Sequence, residues 1–149
     1  MSTRRKGREY ALQILYDLEA SLTENDQIIA CISDETSEEI IEKFFNHFES
    51  TKKAAPYTCA LVKGILKNST KIDAIIKGNC KNWRLNRLSR VDRNVLRIAI
   101  YELLFDLELS TSIIINEAIE IARKFGAQNS AQFVNGVLDS AAKETRQAK

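Results

Sequence analysis

Apolar residues recur three and four positions apart along almost the whole chain, and this spacing constrains the fold more than any other feature of the sequence. It places apolar side chains on one face of an α-helix rather than on alternate sides of a β-strand. Only one proline and five glycines interrupt the 149 residues, so helices can continue for several turns between breaks. The sequence therefore predicts an all-α protein.

Helix-starting and helix-ending residues predict where these helices lie. Ser89 and Asp92 form a capping box at the start of one helix, whose apolar stripe extends to Leu107. Gly126 is expected to end the following helix in a left-handed conformation, and Gly136 is expected to permit a close helix crossing. The expected helices begin at about residues 3, 23, 37, 56, 69, 89 and 112, and Asn129 or Ser130 caps the last one.

Length and composition predict one domain of ordinary globular character. A chain of 149 residues is the usual size of a single domain, and 44% hydrophobic with 28% charged residues is typical of folded proteins. No repeat or low-complexity segment divides the chain. We expect a single domain of residues 1–149 that contains two small helical bundles, at about 1–80 and 81–149.

Neither the N-terminus nor the apolar segments favour export or membrane insertion. No apolar core of signal-peptide length follows the basic residues that end at Arg8, and no segment approaches the roughly 20 apolar residues of a membrane span. Cys31, Cys59 and Cys80 lie far apart, which predicts neither a disulfide framework nor a zinc site. We expect a cytoplasmic protein without a metal ion or cofactor.

The residue patterns of common enzyme classes are absent from the sequence. It contains no glycine-rich phosphate loop, no Gly-x-Ser-x-Gly nucleophile elbow and no second partner for its single histidine, His47. His47 lies among phenylalanines on an expected helix, where a structural role explains it better than catalysis. We therefore expect a protein that binds other molecules rather than an enzyme.

The first candidate binding surface is the N-terminal basic cluster, which consists of Arg4, Arg5, Lys6 and Arg8. Cations are mildly destabilising at the positive end of a helix, so we expect another interaction to compensate them. RNA phosphates would do so, and Tyr10 and Tyr16 could stack on unpaired bases. A solvated terminus, with the tyrosines at the edge of the core, is an equally open interpretation.

A second basic segment contains arginines three or four residues apart, namely Arg84, Arg87, Arg90, Arg93 and Arg97. These arginines could form another nucleic-acid surface or a set of structural salt bridges. We favour salt bridges, because Asp92, Glu102 and the acidic stretch after Ser33 offer partners.

Four blocks of the sequence carry a family signature: RRKGREYALQILY from Arg4, WRLNRLSRVDRNVLRIAIYELL from Trp83, INEAIEIARKFG from Ile115 and FVNGVLD from Phe133. In this order and spacing they resemble the NusB family. The residues between Leu22 and Lys81 match mainly in helical pattern. The resemblance implies an all-helical fold of two three-helix bundles.

The same resemblance implies a role in transcription antitermination. Proteins of the NusB family bind boxA RNA, pair with ribosomal protein S ten (NusE) and act in an RNA polymerase complex that suppresses termination, with no reaction of their own. By position, the residues implied for RNA binding are Arg4, Arg5, Lys6, Arg8, Tyr16, Lys124, Phe125, Gln128, Asn129 and Phe133. Exposed residues implied for the protein partner are Lys81, Arg84, Arg87 and Glu102.

Two positions depart from the family pattern. Gly7 lies where relatives often carry alanine or arginine, which thins the basic cluster, and Asn129 lies where aspartate is common. The missing negative charge at Asn129 is expected to tighten RNA binding. For Phe125 and Phe133, core packing is an open alternative to RNA contact, because each also falls on an apolar helical stripe.

Two other functions remain open from the sequence. A similar helical domain occurs in RNA cytosine methyltransferases, but neither a nucleotide-binding sheet nor a catalytic cysteine motif is predicted in these 149 residues. A homodimeric structural protein is the second alternative, because some members of the family dimerise in a way that covers the RNA surface.

Overall fold

The computed structural model describes residues 3–21, 34–47, 53–80 and 88–146. The α-helices in these ranges are α1 (Thr3–Ser21), α2 (Asp34–His47), α3 (Ala55–Lys67), α4 (Ser69–Asn79), α5 (Arg90–Phe105), α6 (Thr111–Phe125) and α7 (Ser130–Arg146). No strand occurs among the described residues, so the all-α prediction is confirmed. The short helix expected after Thr23 lies outside them.

Most helix starts follow the local signals in the sequence. The hydroxyl of Ser89 accepts a hydrogen bond from the backbone N–H of Asp92 at 3.1 Å, as the capping box predicts. Pro56 lies in the first turn of α3, where its missing N–H costs no helical hydrogen bond. The expected start of α2 is wrong, because the helix begins at Asp34 and Ser37 is a buried residue within it.

The helices divide into two units, Met1–Ser69 and Thr70–Lys149. In the first unit α1, α2 and α3 pack on one another, and in the second α5, α6 and α7 do so. Nearly all of α4 lies in the second unit, which differs from the expected division near residue 80. Hydrogen bonds to α7 help to hold it there: Asn79 Oδ1 accepts from Ser140 Oγ at 2.5 Å, and Asn79 Nδ2 donates to Glu144 Oε2 at 2.9 Å.

Within the first unit, α1 and α3 approach each other closely at Gly7. The hydroxyl of Thr58 donates a hydrogen bond to the backbone carbonyl of Gly7 at 2.9 Å. A Cβ atom at position 7 would lie 2.7 Å from Cδ2 of Tyr57, which is closer than van der Waals contact allows. Gly7 is thus required for packing. The buried apolar side chains of the three helices are Ala11, Leu12, Ile14, Leu15, Leu18, Ile41, Phe45, Leu61, Val62, Ile65 and Leu66.

An ion pair within the second unit joins α4 to α5. Arg97 donates from Nε to Asp73 Oδ1 at 2.8 Å and from Nη2 to Asp73 Oδ2 at 2.9 Å. A third donor, Nη1, bonds to Asn94 Oδ1 at 3.0 Å. The expected structural role of Arg97 is confirmed, and its bidentate partner is Asp73, which the sequence did not indicate as a salt-bridge partner. Such paired hydrogen bonds are the strong form of an arginine–carboxylate contact.

Arg146, in the last turn of α7, caps the end of α5. Its guanidinium donates hydrogen bonds to the backbone carbonyls of Leu103 at 3.0 Å, Asp106 at 2.9 Å and Leu109 at 2.7 Å. The last carbonyls of a helix have no partner within it and form the negative end of its dipole. Arg146 therefore satisfies these acceptors and fixes the loop between α5 and α6.

Three expectations about the second unit are wrong. Gly126 has φ −92° and ψ −172°, which is extended rather than left-handed backbone. It is needed for space instead, because a Cβ there would lie 2.6 Å from Cβ of Ser130. Among the described residues, nothing outside the backbone of its own helix lies within 4 Å of a Cβ at Gly136, so no close crossing there requires that glycine. Leu107 lies beyond the end of α5 and is 64% exposed.

Asp73→Asn tests the buried ion pair. The substitution leaves the Arg97 side chain, which is 2% exposed, without its carboxylate, and we expect the free energy of unfolding to fall by about 3–5 kcal/mol. Urea denaturation measures this change. The control Asp139→Asn breaks the exposed pair with Lys143 and should change stability by less than about 1 kcal/mol. Similarly small losses of stability in both variants would contradict the structural role of the Arg97–Asp73 ion pair.

Gly7→Ala tests the close approach of α1 and α3. The new methyl group would displace Tyr57, and we expect the free energy of unfolding to fall by about 1–3 kcal/mol. Gly136→Ala is the matched control in an open helical position, where alanine should stabilise the protein by about 1 kcal/mol. Thermal or urea unfolding compares the two. Stabilisation by both substitutions would refute the packing role of Gly7.

Candidate nucleic-acid interface

The N-terminal basic cluster lies in the first two turns of α1, but only part of it is exposed. Arg4 is exposed, and Arg5 and Lys6 are half-buried. Lys6 Nζ lies 3.9 Å from Oε1 of Glu9. Arg8 is 2% exposed, so its guanidinium belongs to the interior of the first unit. Three of the four cations therefore reach the surface.

Tyr57 on α3 lies against this cluster, although the sequence analysis did not identify it. The guanidinium carbon of Arg4 and that of Arg8 each lie 5.7 Å from the centroid of the Tyr57 ring, which is cation–π distance. Tyr57 is far from both arginines in sequence. The only sequence signal was its position directly after Pro56, at the start of a helix.

The electrostatics at the start of α1 favour an anion. The first turn contains no acidic residue. Backbone N–H groups at a helix start have no partner within the helix and form the positive end of its dipole. Arg4, Arg5 and Lys6 add full positive charges to this end. The arrangement suits phosphate groups, which accept hydrogen bonds from both backbone amides and guanidinium groups.

The two tyrosines of α1 have different surroundings. The ring of Tyr10 packs at 5.8 Å from that of Phe44 and at 6.1 Å from that of Phe45, both on α2. Tyr10 is therefore at the edge of the core, as the alternative interpretation held. Tyr16 is 39% exposed, so part of its ring is available at the surface.

A second group of candidate residues surrounds the turn between α6 and α7. Lys124 and Phe125 end α6, and Gln128 and Asn129 lie in the turn; all four are exposed. Lys124 Nζ lies 5.2 Å from the centroid of the Phe125 ring. Phe133, in the first turn of α7, is half-buried.

Hydrogen bonds fix the backbone of this turn. The hydroxyl of Ser130 accepts from the backbone N–H of Ala127 at 2.9 Å, and the N–H of Ser130 donates to the carbonyl of Ala127 at 3.1 Å. Asn129 precedes α7, and its carbonyl accepts from the N–H of Phe133 at 3.1 Å. The exposed side chains therefore project from a defined backbone.

Phe125 is not a core residue, because 45% of its surface is exposed. Core packing of this side chain, left open by its place on the apolar stripe, is excluded. A large exposed aromatic ring beside a lysine offers a surface for stacking a base and a charge for the neighbouring phosphate. The exposed amides of Gln128 and Asn129 supply hydrogen-bond donors and acceptors for base edges.

The residues expected to contact a protein partner are only partly described. Lys81, Arg84 and Arg87 lie outside the described residues. Glu102 is 2% exposed, so its expected place on an exposed contact surface is wrong.

Burial raises the pKa of the neighbouring Tyr101, and the carboxylates of Asp106 and Glu102 raise it further.

No described helix has both the length and the apolar composition needed to cross a membrane. Within the same part of the chain, no group of three or more histidine, cysteine, aspartate or glutamate side chains is arranged to hold a metal ion.

The NusB family matches residues 5–143. A protein of Geobacter sp. strain M21 called transcription antitermination protein NusB is 41% identical over 146 residues, which cover 95% of each chain. A protein of the same name from Clostridium botulinum is 38% identical over 135 residues, covering 91% of this chain and 96% of its own.

Solved structures with the same fold come from proteins of the same name. The NusB structure of T. maritima is 36% identical and superposes with a TM-score of 0.78, covering 97% of this chain and 94% of its own. The solution structure of NusB from Aquifex aeolicus is 26% identical, with a TM-score of 0.74 and coverage of 99% and 92%.

Proposed function

The chain belongs to the NusB family of transcription antitermination proteins, and we propose that it acts by binding boxA RNA of nascent ribosomal transcripts together with ribosomal protein S ten (NusE). In this proposal the RNA–protein assembly modifies RNA polymerase and suppresses termination. The chain contributes binding surfaces and catalyses no reaction. It acts in the cytoplasm, where bacterial transcription takes place.

The observation that carries the proposal is the exposed positive charge at the start of α1. Arg4, Arg5 and Lys6 reach the surface at a helix end that already favours anions, with no acidic residue in its first turn. Phosphate contacts of this kind supply much of the affinity for nucleic acid and make that affinity depend on salt. Arg8 is too deeply buried for direct contact, and we assign it to the support of this surface.

The turn between α6 and α7 supports the same function from the second unit. Phe125 offers an exposed ring for base stacking and Lys124 a charge for phosphate, while Gln128 and Asn129 offer hydrogen-bonding groups. Phe133 is half-buried, so only part of its ring is available to RNA. Tyr16 completes the set of RNA contacts that we propose.

For the protein partner, we retain Lys81, Arg84 and Arg87 as proposed contacts with S ten. Glu102 is removed from the contact set, because a side chain that is 2% exposed cannot form part of a docking surface without rearrangement.

Between the functions that the sequence left open, the relatives favour antitermination over a methyltransferase module. Relatives that carry the antitermination name match this chain over 95% and 96% of their own length. The other alternative is a homodimeric structural protein, and RNA binding by the monomer would exclude it.

Fluorescence anisotropy with labelled boxA RNA and a scrambled RNA tests the proposed function. We expect selective binding of boxA RNA, with an affinity that increases when S ten is added. Size-exclusion chromatography with light scattering at the same concentrations reports whether the binding species is a monomer. Equal, weak binding of both RNAs with and without S ten would contradict the proposal.

A variant with Arg4→Gln, Arg5→Gln and Lys6→Gln tests the phosphate contacts of α1. Each contact with single-stranded RNA contributes about 0.7 to the slope of log affinity against log salt concentration, so the slope should become shallower by up to about 2. The matched control replaces the exposed residues Lys43, Lys67 and Lys77 with glutamine and removes the same charge. Equal changes of slope in the two variants would contradict the phosphate contacts at α1, because the salt dependence would then follow net charge alone.

A further inference from the structure

The half-buried ring of Tyr57 lies directly beside the backbone of α1. Gly7 allows α1 to approach so closely that any larger residue there would collide with Cδ2 of the ring. The neighbouring Thr58 is hydrogen-bonded to the backbone of Gly7 at 2.9 Å, which fixes α3 against α1 at this level. The α1 backbone at position 7 therefore limits where the Tyr57 ring can lie.

The two arginines that contact this ring differ in exposure. Arg8 is 2% exposed and Arg4 is exposed, yet both guanidinium carbons lie 5.7 Å from the ring centroid. Arg8 is immobilised by burial. Arg4 is one helical turn earlier, at the surface, where an arginine side chain can sample many rotamers.

We infer that Tyr57 is a positioning residue for RNA binding, which holds the guanidinium of Arg4 ready to bind a phosphate. This inference rests on the proposed function and extends it to a residue of α3. The N–H donors of a guanidinium lie in the guanidinium plane and point outward from its edge. A guanidinium stacked on a ring can therefore still bind a phosphate. An Arg4 side chain that is already ordered in the free protein loses less conformational entropy on binding, and the affinity is therefore higher.

Gly7 also affects the exposed arginine of the cluster. A larger residue at position 7 would displace Tyr57 and with it the partner of Arg4. Gly7 thus permits the contact between Tyr57 and Arg4 that orients the Arg4 guanidinium.

A double-mutant cycle for RNA binding tests the inference. Tyr57→Leu should weaken binding of boxA RNA by about three- to tenfold, as expected when one long side chain loses its preorganisation. Tyr57→Phe keeps the ring and should restore the affinity. In an Arg4→Gln background, Tyr57→Leu should have little further effect, because the residue through which it acts is already absent.

Two further measurements separate this role from a general loss of structure. Thermal unfolding shows whether Tyr57→Leu is folded at the assay temperature, and the comparison is made where both proteins are native. NMR of the arginine Nε–H groups in the free protein reports the ring contact directly: Arg4 should show a ring-current shift in the wild type and in Tyr57→Phe but not in Tyr57→Leu.

The outcomes distinguish the inference from the function on which it rests. Failure of the wild-type chain to bind boxA RNA selectively would overturn the proposed function, and the inference with it. Selective binding by the wild type, with equal losses from Tyr57→Leu in the presence and absence of Arg4, would overturn the inference alone. An unchanged Arg4 signal in Tyr57→Leu would also overturn it.

Discussion

The close contact of α1 with α3 at Gly7 sets the structure of the first unit and the exposure of its basic cluster. Because position 7 carries no side chain, Thr58 reaches the backbone of α1 and the Tyr57 ring packs beside it. Beside the same ring Arg8 is buried and Arg4 lies at the surface. The close packing of α1 on α3 and the exposed end of the basic cluster thus lie side by side.

Arginine has two different roles in this chain, and its contacts separate them. Arg97 and Arg146 use their several N–H donors to join elements of the second unit, one through a carboxylate and the other through backbone carbonyls. Arg4 lies at the surface at a helix end, where its charge is not offset by an acidic residue in the first turn. Net charge alone does not reveal this division, since it is only +2 for the whole chain.

Helical periodicity was sufficient to predict the fold class, and Ser89 and Asp92 correctly marked the start of α5 because a capping box is a local interaction. The same periodicity could have identified the burial of Arg8, which is in phase with Ala11 and Leu15, had it been applied to charged residues. The partners of Arg97 and Tyr57 could not be predicted, because both contacts join helices distant in sequence. A glycine at a helix end predicts a left-handed backbone, but Gly126 is extended. The fold needs its small size, because a Cβ there would collide with Ser130.

The most direct test of RNA binding by these surfaces is NMR mapping of backbone amides during titration with boxA RNA in the presence of S ten. We expect the largest RNA-dependent shifts in the first turn of α1 and between Lys124 and Phe133, with scrambled RNA causing much smaller ones. Shifts confined to other surfaces, such as the exposed Glu35, Glu38, Glu39 and Glu42 of α2, or equal responses to both RNAs, would contradict the account.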